Sequence, residues 1–210
     1  MTTPPRRLAL LVSGASGMAL PRHLVGVLAA HPEVGEIHLV VSRGAAQVLA
    51  HEMGRTQTSA ESLVEAAGVG DADREKITIH RDSALDASIA SGSYTLDGTI
   101  VLPCSSGTLG AIVSGVASTL VYRAAAVALK ERWPLVLGFR ETPYSVVHLE
   151  NMRRATYAGA IILPPIPAFY IGGPEEYGEE TMERFLDHYC LRVLDRFGLE
   201  EVEDSHLRWS

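Results

Sequence analysis

The stretch LALLVSGASGMALPRHLVGVL, Leu8 to Leu28, decides how the fold is read. An unbroken apolar run, Leu8 to Val12, ends in Ser13-Gly14-Ala15-Ser16-Gly17, and an apolar-periodic segment follows. That order predicts a strand, a tight turn and a helix. Such a turn leaves backbone N–H groups and small hydroxyls uncovered at a helix N-terminus, where an anion is favoured. The spacing is G-A-S-G, which matches neither the dinucleotide fingerprint G-x-G-x-x-G nor the P-loop G-x-x-x-x-G-K-[ST]. Which anion the turn serves is therefore open at this point.

Further along, DGTIVLPCSSGTLGAIVSGVA repeats the same logic. A strand over Thr99 to Leu102 meets Pro103-Cys104-Ser105-Ser106-Gly107-Thr108, and a helix begins. Between the two units, EIHLVVS (Glu36 to Ser42) predicts a strand and RGAAQVLAHEM a helix. Residues 54 to 75 are polar with a helical patch at Ala60 to Ala67, and KITIH is a third strand. After the second unit come a helix over roughly Thr119 to Arg132 and a buried strand in PLVLGF. A helix in TPYSVVHLENMRRATYAG ends at Gly159, a strand follows in AIILP, and an amphipathic helix spans roughly Glu179 to Phe197. PPIPAFY is too rich in proline for a helix or a central strand.

Strands alternating with helices, each strand apolar almost throughout, predict a parallel sheet covered on both faces. The expectation is a single α/β domain over 1–210 with a doubly wound parallel sheet, Rossmann-like or flavodoxin-like, forming a three-layer sandwich. The chain has 210 residues, 47% of them hydrophobic, enough for one such core. The net charge of −7 is dispersed, which argues against a nucleic-acid partner but not against a small phosphorylated ligand. Cys104 and Cys190 form no C-x-x-C pair, and no run approaches the roughly 20 apolar residues of a membrane span. The expected location is the cytoplasm. The eight His are scattered without a ligand cluster, so no metal is expected.

In doubly wound sheets, ligands bind beyond the carboxyl ends of the strands. The residues expected there are Gly14, Ala15 and Ser16, then Ser42, then Ser105, Ser106, Gly107 and Thr108, then Arg140 and Glu141, and finally the loop ending in Tyr170. Gly and Ser are also ordinary turn and cap residues, so either turn alone could be structural. Arg123 and Lys130 lie two turns apart on one helix, about 10 Å along the same face. The blander reading of that pair is a solvated basic stripe.

The runs SGASG, SGSY, PCSSGTL, RAAAVALKERWPLVL, RETP, HLENM, AIILPPIPAFY and the closing LRW, in this order, resemble the UbiX/Pad1 flavin prenyltransferases from about Arg7 to Trp209. The resemblance implies reduced FMN as the bound flavin and dimethylallyl monophosphate as the donor of a group to flavin N5 and C6. It also implies a UbiD-type decarboxylase as recipient of the prenylated FMN, a dodecameric assembly and no metal. Position by position, FMN would meet Gly14, Ala15, Ser16, Ser42, Ser105 to Thr108 and Arg140. The donor phosphate would meet Lys130, Arg140, Glu141, Tyr170 and Arg192, with Arg123 close by. Glu141 and Ser16 would move protons, while Lys130 and Arg123 steady the departing phosphate.

The chain departs from the family pattern at Leu20-Pro21, where many relatives carry Tyr-Gly, and at Arg43-Gly44. The segment IGGPEEYGEE is also longer than the pattern, which leaves Arg184 and Arg196 as rivals to Arg192. Two other readings share the flavin loops: an FMN-dependent decarboxylase of the cysteine-peptide or phosphopantothenoylcysteine type, and a non-catalytic FMN carrier. The first would need an Asn-containing substrate motif and a catalytic His, but Asn151 and His148 fall inside a predicted helix. The second would have no use for Lys130, Glu141 and Tyr170 together.

Overall fold

A computed structural model of the chain describes residues 4–54, 56, 58–168 and 179–199. Leu8 to Val12 form the heart of β1 (Arg6–Val12), and all five are fully buried. Leu8, Leu10 and Val12 enter one apolar cluster while Ala9 and Leu11 enter another, because successive strand side chains point to opposite faces. An element that buries both faces belongs in the middle of a sheet. There it pairs in parallel with β2 (Val34–Val41) on one side and β4 (Gly98–Cys104) on the other.

With β3 (Ile77–Arg81), β5 (Leu135–Phe139) and β6 (Ile161–Ile162), the sheet runs β3-β2-β1-β4-β5-β6, and every pairing is parallel. The chain winds outward in one direction from β1 and in the other from β4. A crevice therefore opens between their carboxyl ends, where the strand order reverses.

Each face carries a helical layer. One holds α1 (Ala19–Ala30), α2 (Arg43–Glu52), α3 (Ala60–Ala66) and α8 (Glu179–Leu194). The other holds α5 (Ser106–Val113), α6 (Leu120–Glu131) and α7 (Val146–Tyr157), with a 3-10 turn at Ser88–Ala90. The final helix is tied to α1 by His23 Nε2 and Asp187 Oδ1, 2.6 Å apart, and Tyr189 donates its hydroxyl to Leu163 O at 2.6 Å.

Four elements differ from the expected ones, three of them for local causes. β4 continues through Pro103 instead of stopping at Leu102, and its register with β5 shifts between Val101 and Cys104, where proline has no N–H to offer. β6 is only two residues long, since Pro164 and Pro165 follow it closely. A short helix, α4 (Asp71–Arg74), lies in the segment read as polar connection, and it buries no residue that would give an apolar period. The expected final helix ends at Leu194 and continues as a 3-10 turn over Asp195–Phe197.

Candidate functional site

The two turns at the switch point are joined through Ser13, which is 1% exposed. Its hydroxyl donates to Pro103 O and accepts from Ser105 N, both at 2.8 Å, and its own N–H donates to Pro103 O at 3.2 Å. Pro103 offers only a carbonyl, so Ser13 supplies both donors that carbonyl receives. Gly14 then passes directly under the start of α2. A Cβ on Gly14 would lie 2.9 Å from Gly44 C, so the turn reaches this position only as glycine. Gly17, at φ +108°, makes the left-handed bend into α1.

The N-terminus of α1 already holds an anion, supplied by the chain. Its first position, Met18, offers no side-chain cap. Instead the Glu52 carboxylate accepts from Met18 N at 2.8 Å and from Gly17 N at 3.1 Å, with the Ser16 side chain close by. Burial pushes the Glu52 carboxyl up. The Met18 bond, the nearby Ser16 side chain, the Gly17 bond and the charge of Arg140 outweigh this and hold it below its ordinary value. The N–H groups of Gly17 and Met18 are therefore already paired within the chain. Glu52 is the functional candidate that the sequence reading missed.

The next two helix starts remain accessible. Ser42 caps α2, accepting from Ala45 N at 3.1 Å, and is half-buried. Ser105 caps α5, accepting from Thr108 N at 3.3 Å and donating to Thr108 Oγ1 at 3.0 Å. Thr108 is buried and serves the cap, whereas Ser106 is half-buried and Gly107 exposed. A Cβ on Gly107 would meet nothing within 4 Å, which leaves an open cradle above the first turn of α5. Gly14, Ser16, Ser42, Ser106 and Gly107 are thus solvent-accessible or half-buried residues of the turns at the carboxyl ends of β1, β2 and β4, where glycine backbone and serine hydroxyls are open to a ligand.

Arg140 and Glu141 stand at the end of β5 on the rim of this crevice. Arg140 N donates to Cys104 O at 3.1 Å, and Glu141 Oε1 accepts from Thr142 N at 3.1 Å. With Phe139, Thr142, Tyr144, Pro164, Pro165 and Ile166 they enclose a cavity of about 320 Å³. Cys104 is fully buried, and burial pushes its thiol far up, so it is not a nucleophile.

The other expected site residues are not gathered here. The first residue of α6, Leu120, donates its N–H to Asp82 O beyond the end of β3, and the helix runs back to Glu131, just before β5 begins. Lys130 therefore lies about 15 Å along the helix below the crevice level. It pairs there with Glu131, against the turn at Gly92. Arg123 donates Nε to Ala90 O at 2.9 Å, so the two cations do share one face of α6, as their spacing predicts. Arg192 sits near the end of α8 in the opposite layer, exposed and paired with Asp195 at 3.2 Å. Tyr170 lies outside the described residues. Asn151 and His148 are inside α7, as expected, with His148 Nδ1 accepting from Ser145 N at 3.1 Å. Among the described residues no helix is long and apolar enough to cross a membrane.

Comparison with known proteins agrees with this geometry. The family model described as Flavoprotein matches residues 2–187. The flavin prenyltransferase UbiX of Salmonella typhimurium is 40% identical over 204 residues, covering 97% of this chain and 98% of that protein. A crystal structure of AnUbiX (PadA1) in complex with FMN and dimethylallyl pyrophosphate superposes with a TM-score of 0.78 at 36% identity, over 98% of this chain and 100% of that one. A dodecameric FMN-dependent UbiX-like decarboxylase from Escherichia coli O157:H7 gives a TM-score of 0.79 at 39% identity, over 97% and 98% of the two chains. With identities of this size over nearly the whole length, the chain belongs to the flavoprotein family and, within it, to the UbiX flavin prenyltransferases.

Proposed function

We propose that this enzyme works in the cytoplasm and moves a dimethylallyl group from dimethylallyl monophosphate to N5 and C6 of reduced FMN. Its product would serve a UbiD-type decarboxylase. The observation that carries the reading is the open Gly/Ser crevice at the switch point with Arg140 and Glu141 on its rim. When bound, reduced flavin would supply an electron-rich N5 to the allylic carbon, whose C–O electron pair leaves with the phosphate, and an electron-rich C6 to the distal alkene carbon, with one proton lost from each ring atom and one gained by the alkene.

The chain's own residues supply the rest. Gly14 and Gly107 let the backbone approach the flavin, while Ser42, Ser105 and Ser106 address its phosphate at the starts of α2 and α5. Arg140 places a positive charge at the crevice rim. Glu141 keeps Oε1 on Thr142 N and has Oε2 available to take a proton. Ser16, beside the ionised Glu52, forms a second route by which a proton can leave the flavin edge.

Lys130 lies at the far end of α6 from the crevice and Arg123 is engaged at Ala90 O, so in this reading a second copy presents them. Val146, Val147 and Leu149 are exposed apolar residues at the start of α7, beside the Arg140–Tyr144 rim. They supply a surface that a neighbouring copy would cover. The dodecameric relative supports an assembly of this kind.

The test is anaerobic incubation with reduced FMN and either the mono- or the diphosphate donor, followed by mass analysis of the released flavin. Flavin heavier by one dimethylallyl unit, formed from the monophosphate, is the expected result. Unmodified flavin with both donors would refute the reading. A mixed oligomer tests the shared site. Lys130→Ala and Glu141→Gln should each be nearly inactive alone, and co-assembly should restore activity because some sites then receive both native residues. No restoration would place all the groups in one chain.

A further inference from the structure

Beneath the β1–β2–β3 half of the sheet lies a polar cluster that the transfer reaction does not use. Arg7 of β1, Glu36 and His38 of β2, His80 of β3 and Tyr94 converge there, on the face covered by α6. Tyr94 donates its hydroxyl to Glu36 Oε1 at 2.7 Å. His38 Nε2 lies 3.1 Å from that hydroxyl and 3.2 Å from Glu36 Oε1, so it carries the proton and donates. His38 Nδ1 is then an acceptor, and His80 Nε2, 2.9 Å away, donates to it. Arg7 Nε holds the other carboxylate oxygen at 3.2 Å, and its guanidinium lies 5.3 Å from the Tyr94 ring centre.

The result is a one-way chain of donors, His80 to His38 to Glu36 and Tyr94, in which the tautomer of His38 is fixed by its neighbours. Burial keeps it neutral, lowering His38 to about 4. His38 is buried at the centre of the cluster, while Glu36, His80 and Tyr94 are partly buried and Arg7 reaches the surface.

The cluster holds the segment Ala90–Tyr94. Tyr94 N donates to Ser91 O, the Ser91 and Ser93 hydroxyls are 2.8 Å apart, and Ser93 N donates to Ser91 Oγ. Both cations of α6 address this short segment, Arg123 at Ala90 O and Lys130 at Gly92, where a Cβ would overlap the ends of Lys130 and Glu131. One end of the turn is thus anchored in the sheet while the other carries the cations.

We infer that Tyr94, with Glu36, His38 and His80, is a positioning group for donor binding: it fixes the Ala90–Tyr94 turn against which Arg123 and Lys130 are set for the donor phosphate. This rests on the proposed donor role of Lys130.

The decisive variant is Tyr94→Phe, which keeps the ring and its contact with Arg7 but removes the hydroxyl. It is compared with Lys130→Ala in the flavin-loaded oligomer. Three readings are taken: donor KM against kcat, binding of dimethylallyl monophosphate to flavin-free protein by calorimetry, and amide exchange across residues 90–94. For a positioning role, Tyr94→Phe raises donor KM and Kd about tenfold, leaves kcat within about twofold and speeds exchange in the turn. Lys130→Ala then weakens donor binding at least as much. If Tyr94→Phe only lowers thermal stability while donor KM, Kd and exchange stay put, and Lys130→Ala weakens donor binding, the inference fails alone. If Lys130→Ala leaves donor binding unchanged, the donor reading of α6 fails and takes the inference with it.

Discussion

Two strand–turn–helix units flank the switch point, β1–α1 and β4–α5, and they treat the positive ends of their helices differently. The second is closed by its own first residues: Ser105 caps α5 with help from Thr108, and Ser106 and Gly107 stay accessible. The first has no such cap, and its N–H groups are satisfied by Glu52, the last residue of α2. Near-identical local grammar thus gives one helix start open to a ligand and one occupied by the protein's own carboxylate. The N–H groups of Gly17 and Met18 are met by Glu52, and the starts of α2 and α5 are the proposed place for a ligand's phosphate.

The largest effect should come from adding one carbon to each turn. Gly14→Ala puts a Cβ 2.9–3.2 Å from three backbone atoms of Gly44, and backbone cannot rotate aside. Overpacking of this kind costs about 1–3 kcal/mol, and the shift of α2 should also displace Ser42 and weaken flavin binding. Gly107→Ala meets open space in the first turn of α5, where replacing glycine favours the helix by up to about 1 kcal/mol. Its melting temperature should hold or rise while flavin affinity falls. Thermal unfolding with flavin titration reads both, and equal destabilisation by the two changes would erase the distinction between the turns.

Next in size is the pair Ser13→Ala and Ser16→Ala. Ser13 is buried and joins the two units, so its loss leaves Ser105 N without its acceptor and Pro103 O short of a donor. An orphaned buried group costs roughly 1–3 kcal/mol. Ser16 is exposed, and its removal should change stability by less than about 0.5 kcal/mol while slowing turnover if it relays a proton. A Ser13→Ala protein as stable as the parent would mean the turns are held together by packing alone.

These differences also mark what the sequence could and could not reveal. Both turns, the serines that begin α2 and α5 and the apolar strands were legible because each depends on neighbours within a few positions. Glu52 was not, because it meets Gly17 across 35 residues, and nothing near it in sequence marks a terminal helix carboxylate as a ligand. The Tyr94 cluster is hidden for the same reason: its members come from three strands and a turn, brought together only by the sheet's register. Lys130 and Arg123 were correctly placed on one face of α6. Where that face lies relative to Glu141 depends on the direction of the helix, which spacing does not encode.

The smallest effect is the most direct probe of the contrast between the two helix starts. Glu52→Gln keeps the shape and the acceptor oxygen but removes the charge from the α1 N-terminus. A charge at a helix terminus is worth about 0.3–1 kcal/mol, so the melting temperature at pH 7 should fall by no more than a few degrees. The pH dependence gives the effect its sign. The Glu52 carboxyl is held below its unfolded value, so the unfolded chain takes up a proton first as the solution is acidified. Its contribution is fully present above the ordinary glutamate range near 4.5 and is lost as pH falls through the lowered native value. The parent and Glu52→Gln melting curves should therefore converge on acidification below pH 4.5, with their full separation kept from pH 5 to 8. The matching change in the other unit, Ser105→Ala, removes a neutral cap and should lower stability by about 1 kcal/mol at every pH in that range. A separation for Glu52→Gln that ignores pH would mean that the charge is not what fills the first helix start. Polar contact alone would then explain it, and α1 would be as open to a ligand's phosphate as α5.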